Sequence, residues 1–280
     1  NAVAYSVLDL LRKVLVGSMR PTPLLVWLSV GPLPLFVAWI AVAGAGRPDP
    51  VYFGYAAVSI VLNVVANLLF LEAVRVSPLS LTIPFLTFTP VFTTILAIPL
   101  LGEVPSAAQW IGIALIVTGA FRLNLESGER SSPAALWRAF LKERGSVLMV
   151  GVAFCWATAS PIDKLAMRSA HPSVHGLALN LGVGLSALAL LAARGRLREL
   201  RPPARVAAPM AGAIAVSVLG LAFLLLALNA TWVGLVETLK RGIGSFLALL
   251  FGAWFFGERV GLNQAAAVAL MVAGVALLFW

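Results

Sequence analysis

Nearly all the side chains able to do chemistry in the apolar parts of this 280-residue sequence fall into a few charged groups. The densest is Glu237-Thr238-Leu239-Lys240-Arg241. Spacings of three and four residues let Glu237 reach either cation along one helix face. Lys240 and Arg241, being adjacent, point about 100° apart around the helix axis. One cation is therefore expected to be neutralised locally, and the other left to meet an anionic group such as a phosphate or carboxylate. Arg241 suits that task, because a planar guanidinium offers paired donors. The remaining candidates are Asp9 with Arg12 and Lys13, Glu72 with Arg75, and Asp163 with Lys164. An ionised side chain near the centre of a bilayer costs about 2.5–3.5 kcal/mol, so those that occur face a cavity or a partner. A purely structural ion network between helices is the competing reading for Lys240, Arg241, Glu237 and Asp9. Arg12–Lys13 and Asp163–Lys164 lie toward helix ends, where long cationic chains reach back to the interface.

Enzymatic chemistry has little to stand on. The sequence has no Gly-x-Ser-x-Gly, no His-Glu-x-x-His, no phosphate-binding Walker loop and no paired-Asp metal motif. His171 and His175 have metal-ligand spacing, but Pro172 stands between them and no third ligand is near in sequence. The single cysteine, Cys155, excludes an internal disulfide and multi-cysteine metal sites. No catalytic residue, metal or cofactor is expected, and the missing Walker loop excludes self-contained ATP-driven pumping.

The elements that must position these groups are membrane helices. The chain is 61% hydrophobic and 11% charged, with a mean hydropathy of +0.99. A soluble domain carries roughly 25% charged residues, so too little polar surface remains to clothe a water-soluble globule. The net charge of +9 is read as arginine-rich loops facing one side of a bilayer, not as a nucleic-acid surface. About 20 apolar residues span about 30 Å of hydrocarbon. Apolar blocks between Pro, Gly and Arg punctuation predict ten spans, near 1–18, 22–43, 51–74, 78–101, 105–123, 146–167, 172–193, 206–228, 232–256 and 260–280. No period-two alternation supports strands. Between the fifth and sixth spans, Trp137, Phe140 and Leu141 predict either a short interfacial helix or a solvated linker. The chain opens at Asn1 without a Met and with a short first span, so residues upstream are expected.

The chain also repeats itself. At an offset of 155, Leu101-Gly-Glu103 meets Phe256-Gly-Glu258, Gln109 meets Gln264, and Gly119 meets Gly274. At an offset of 151, Ala2 meets Ala153, Tyr5 meets Trp156, and Lys13 meets Lys164. The expected units are 1–125 and 146–280, joined by a linker at 126–145. Five spans per copy is an odd number, so the second copy must thread the membrane upside down. Such inverted repeats enclose a cavity near the midplane and alternate its exposure by rocking. The five-plus-five plan, the Gly-Glu closing the fourth span of each half and Pro78-Leu-Ser-Leu-Thr-Ile-Pro-Phe-Leu-Thr-Phe-Thr-Pro90 resemble the drug/metabolite transporter superfamily, in its EamA-type branch. That resemblance implies an all-α integral membrane protein of ten transmembrane helices in two inverted five-helix repeats. It also implies export of amino acids, drugs or other metabolites, or exchange of phosphorylated sugars. The Lys240-Arg241 pair further resembles the phosphate-binding pair of sugar-phosphate translocators in the superfamily.

Helix rise places Lys240 and Arg241 roughly 12–14 Å below one face of a membrane about 30 Å thick, with Asp9 within about 5 Å of that level. Asn63, Trp156 and Asn180 fall in the same belt, whereas Glu237, Asp163 and Lys164 are shallower. These seven residues, Asp9, Asn63, Trp156, Asn180, Glu237, Lys240 and Arg241, are the candidate substrate-binding set. The expected function is secondary transport of a small, anionic metabolite. The alternatives are an exporter of amino acids or of cationic or zwitterionic compounds led by Asp9 and Glu237, and a non-transporting scaffold or intramembrane enzyme. Expected partners are a small-molecule substrate and the lipid bilayer, as a monomer or homodimer in a bacterial inner membrane, without nucleic acid. Lys and Arg concentrate in the loops after odd-numbered spans, which places those loops in the cytoplasm and both termini outside. Relatives in the superfamily usually have both termini inside.

Overall fold

A computed structural model describes residues 1–77, 82–125, 144–256 and 262–279. The linker expected to hold an interfacial helix, and Glu258, lie outside the described residues. The chain is all-helical: α1 (Ala2–Val16), α2 (Pro21–Val30), α3 (Leu33–Ala43), α4 (Tyr52–Val76), α5 (Thr89–Leu101), α6 (Ala107–Leu125), α7 (Arg144–Met167), α8 (Pro172–Ala193), α9 (Ala207–Ala230), α10 (Val233–Phe256) and α11 (Leu262–Leu278). A 3₁₀ segment, Ile83–Phe88, leads into α5. Ten spans result, because α2 and α3 form one run, Pro21–Ala43, interrupted at Gly31-Pro32. Pro32 and Pro34 have no N–H to give, so the regular ladder stops at the bond from Gly31 N to Trp27 O and restarts from Pro32 O. Pro161, by contrast, sits inside an unbroken α7.

Local chemistry sets several helix ends. Ser106 Oγ accepts from Gln109 N at 3.2 Å while Gln109 Oε1 accepts from Ser106 N at 2.9 Å, a reciprocal cap on α6. His171 caps α8 by accepting from Ser173 N, with Pro172 in the first turn where no donor is needed. Gly102 ends α5 at a φ of +71°, which favours glycine.

Among the described residues, five runs are long and apolar enough on their own to cross a membrane: Pro21–Ala43, Tyr52–Val76, Arg144–Met167, Pro172–Ala193 and Ala204–Ala230. The bundle is apolar outside and holds a minority of polar side chains within an otherwise apolar core. On α4, Val58, Val61 and Val65 are exposed while Ser59 is fully buried, and Asn63 and Asn67 follow Ser59 at intervals of four on the inner face. Water would not tolerate that arrangement, whereas lipid accepts the valines and leaves the polar stripe inside. The chain is therefore a multi-pass integral membrane protein.

The packing reproduces the repeat. The pair α4–α7 has its counterpart in α1–α9, and α5–α7 has its counterpart in α1–α10, while α6–α11, α2–α8 and α5–α10 pair each span with its own repeat mate. Exchanging the halves therefore maps these contacts onto one another, as a two-fold axis requires. A two-fold axis relating two five-span halves in series must invert one of them. At α6–α11 the relation holds residue by residue. A Cβ on Gly112 would meet Gly274 O at 2.8 Å, and one on Gly274 would meet Gly112 O at 2.7 Å. One on Gly119 would meet Ala267 O at 2.7 Å, the same contact seen from the other half. The helices run antiparallel and touch backbone to backbone, which only a residue lacking a side chain permits.

Both ends of the bundle are tied across the halves. At one end Lys164 Nζ donates to Glu103 Oε1 and to Thr231 O, each at 2.6 Å, and Val233 N donates to Glu103 Oε2 at 2.7 Å. Glu103 thus caps α10 from the opposite half, where the helix dipole favours a carboxylate. At the other end Lys13 Nζ donates, within its own half, to the carbonyls of Val74 and, at 3.1 Å, Ser77, and the tie across the halves is made in the loops. The repeat pairs Lys13 with Lys164, and both reach a carbonyl in or beside the loop after a third span. Both cations reach toward the helix ends, and each is bonded there to a carbonyl. Outside the membrane helices at that end, Arg20 Nη1 donates to Glu199 Oε1 at 3.0 Å. Arg196 also bonds Glu199 and, as the main cause, holds its carboxyl below the ordinary value.

Candidate functional site

Between the halves lies a cavity of about 130 Å³, several times the roughly 10–15 Å³ that one water needs. Its walls come from α1, α2, α4, α7, α8, α9 and α10. Asp9, Asn63, Trp156, Asn180, Lys240 and Arg241 all line it. The cavity also takes in Asp163, which helix-depth reckoning had set at a shallower level. Glu237 does not line the cavity; it lies behind the wall, fully buried.

The charges are arranged in pairs with one exception. Lys240 Nζ donates to Glu237 Oε1 at 2.6 Å, and the same oxygen accepts from Ser160 Oγ at 3.0 Å. The second oxygen, Oε2, is buried and unpartnered. Lys240 also lies 5.5 Å from the centre of the Tyr5 ring. Arg12 bonds Asp9 Oδ1 at 3.4 Å and Asn67 Oδ1 at 3.3 Å, and stacks over Phe70 at 5.2 Å. Arg241 is different. It forms no ion pair among the described residues, its Nε is buried without a partner, and its guanidinium lies 5.7 Å from the Trp156 ring centre. Asp9 lies within Coulombic reach of it, but Arg12 holds that carboxylate by a direct bond.

A second polar cluster lies behind the wall toward the Lys164 end and reaches the cavity through Asp163. Asp163 Oδ1 accepts from Ser59 Oγ and, at 3.0 Å, from His175 Nε2. His175 Nδ1 lies 3.2 Å from the Tyr52 hydroxyl. Glu72 pairs with Arg75 at the far end of α4, away from Lys240, as its depth predicts. Asn63 and Asn180 each spend an amide N–H on a carbonyl of their own helix, Ser59 O and Gly176 O.

Sequence reasoning missed Arg12, Asn67, Ser29, Ser160, Asp163 and Ser217 among the lining residues. A usable signal existed for two of them. Asn67 follows Asn63 by four residues, and Ser160 follows Trp156 by four, so each shares a face with a residue at cavity level. Among the described residues no group of His, Cys, Asp and Glu has the makings of a metal site.

Comparison with known proteins bears on these features directly. Residues 1–125 and 143–280 match the model of the EamA-like transporter family. No curated protein matches the chain. A solved crystal structure matches it with a TM-score of 0.74 and 17% identity, covering 99% of this chain and 94% of the other, which shows a shared fold.

Proposed function

We propose, from the premise that this chain belongs to the EamA-like transporter family, that it is a secondary transporter which moves a small anionic metabolite by alternating access. Membership establishes a membrane transporter; the sign of the substrate and the cycle are our reading. One observation carries it. Arg241 stands in the cavity wall without a carboxylate of its own, while its neighbour Lys240 is neutralised by Glu237. A guanidinium left unpaired in a low-dielectric cavity is costly. It gains most from a phosphate or carboxylate that accepts two of its donors at once. Trp156 stacks near the guanidinium and leaves its edge to such an anion. The exporter of cations led by Asp9 and Glu237 has less support, since Arg12 occupies the first and Lys240 the second.

The alternating cycle is supported by the inverted halves and by ties across them at both ends, which rocking must break and remake in turn. The net positive charge and the arginine-rich loops suit a bacterial inner membrane.

The test begins with thermal-shift screening of the purified protein against sugar phosphates, carboxylates, nucleotides, amino acids and quaternary amines. The anions are expected to stabilise it, and uptake of the best of them into proteoliposomes is expected to fall at least tenfold in Arg241→Ala. Stabilisation by quaternary amines alone, or undiminished anion uptake in that variant, refutes the reading.

A further inference from the structure

We propose that Asp163, His175 and Tyr52 form a proton-binding site behind the cavity wall, and that the proton held there is exchanged with the cavity through Asp163 during transport. The use made of the proton rests on the transporter reading above; its binding does not.

The argument starts from burial. His175 is fully buried in the membrane part of α8, and both its ring nitrogens are engaged, Nε2 by Asp163 Oδ1 at 3.0 Å and Nδ1 by the Tyr52 hydroxyl at 3.2 Å. A histidine needed only to join helices has no reason to carry its second nitrogen to a group able both to give and to accept a hydrogen. The Tyr52 hydroxyl does both. With the ring neutral, Nε2–H donates to Asp163 and the Tyr52 O–H donates to Nδ1. With the ring charged, a new N–H bond at Nδ1 donates to the Tyr52 oxygen, whose hydroxyl has rotated. Either state satisfies both nitrogens without moving a heavy atom. The site thus takes up and releases a proton with both ring nitrogens hydrogen-bonded in either state, which removes one of the usual obstacles to charging a buried histidine.

Asp163 supplies the rest. Its Oδ1 accepts from Ser59 as well as from His175, as befits a carboxylate that balances the imidazolium. The residue also lines the cavity, so the site opens where substrate is expected. Of the charged and titratable groups around it, Tyr55 of α4 and Asp49 and Arg168 at the adjoining helix ends are exposed, and Glu72 pairs with Arg75 at the far end of α4. Lys164, next on α7, turns away to Glu103. His171, one turn earlier on α8, is bonded to Ser173 and lies edge-on to Trp39. α2, α3 and α9 contain no ionisable side chain. Across the cavity stand Tyr5, Asp9 and Arg12 of α1, with Lys240 and Arg241 of α10 and Glu237 behind them. The Asp9–Arg12 and Glu237–Lys240 pairs are neutral within themselves. Arg241 is the exception, and an anion bound to it cancels its repulsion of an imidazolium. Substrate and proton are thereby linked in sign, each favouring the other.

The chain has two histidines, so His171→Asn leaves one, and asparagine serves as well as histidine at a helix N-cap. This variant, labelled with ¹⁵N-histidine and held in lipid nanodiscs, is titrated between about pH 9 and pH 5. Nδ1 is expected to move from a pyridine-type to a pyrrole-type position, with the midpoint falling by about one unit or more in Asp163→Asn. A ring spectrum that stays constant across the range overturns the proposal. In the second arm, proteoliposomes on a solid-supported membrane receive a pH jump with no substrate present. A transient charge movement is expected for the wild type, and its loss in His175→Gln, whose amide keeps a donor for Asp163 and an acceptor for Tyr52. A current of wild-type size in His175→Gln overturns the proposal. Neither arm uses a substrate, so either can fail while anion binding at Arg241 stands, and the converse holds too.

Discussion

Replacing Lys240 with methionine isolates the Glu237 carboxylate and puts a number on the pairing. In the wild type Lys240 Nζ sits 2.6 Å from Glu237 Oε1, with 9% of the lysine side chain and none of the glutamate exposed. Methionine keeps the apolar stem, so the loss is electrostatic. What remains is one bond from Ser160 Oγ at 3.0 Å, with Oε2 still unpartnered. Breaking a buried pair by removing one partner costs about 3–5 kcal/mol. Proton uptake caps that figure, because neutralising a carboxyl with an ordinary value of about 4.3 costs about 3.7 kcal/mol at pH 7 and about 1 kcal/mol at pH 5. Lys240→Met is therefore expected to lose about 3–4 kcal/mol at pH 7 and only about 1 kcal/mol at pH 5. The sign follows from the proton: the stranded carboxylate is relieved by protonation, so the deficit shrinks as pH falls. Glu237→Gln combined with Lys240→Met removes both charges, and is expected to recover most of the loss at pH 7. Reversible unfolding in mixed micelles at the two pH values, taken as a double-mutant cycle, measures all of this. A single-variant loss below about 1 kcal/mol at pH 7, or a double variant no better than the single, refutes the reasoning.

Three further outcomes are expected. Glu103→Ala removes an acceptor shared by Lys164 and Val233 N, and is expected to cost about 1–3 kcal/mol and to raise thiol labelling of a cysteine placed at Thr231; unchanged labelling argues against Glu103 as a tie between the halves. Gly274→Val drives a side chain into Gly112 O, and is expected to lower the unfolding free energy by at least about 1–3 kcal/mol, read by the same micelle titration. Leu197→Cys, at an exposed loop position, on a Cys155→Ala background, is expected to react with a membrane-impermeant thiol reagent only from the cytoplasmic side, as the arginine count requires.

The spans were legible because crossing lipid demands length and apolarity, which a sequence displays openly. Most expected boundaries agree with the helices to within two residues. The fourth departs, because Ile83–Phe88 is a tighter 3₁₀ helix ahead of α5. Depth along the axis was legible too, from rise per residue alone. It brought Asp9, Asn63, Trp156, Asn180, Lys240 and Arg241 to one level, and all six border one cavity. Rotation about the axis was not legible. Mostly apolar helices show little preference for one face, and which face turns inward depends on neighbours far away in the chain. Asp163 was therefore grouped with Lys164 beside it, when their side chains diverge to His175 and Glu103. His175 looked idle for the same reason, since its partners Tyr52 and Asp163 come from two other helices.

The mirrored contact between α6 and α11 has an energetic corollary. Were the two copies identical in sequence, a shape closed at one end and the same shape closed at the other would be superposable, and neither could be preferred. Any resting bias must come from residues without a twin. At the repeat offset, Glu237, Lys240 and Arg241 stand opposite Thr82, Phe85 and Leu86, so the second copy alone carries ionic groups there. The scaffold makes two poses equivalent, and a handful of unmatched side chains decides how the protein divides its time between them.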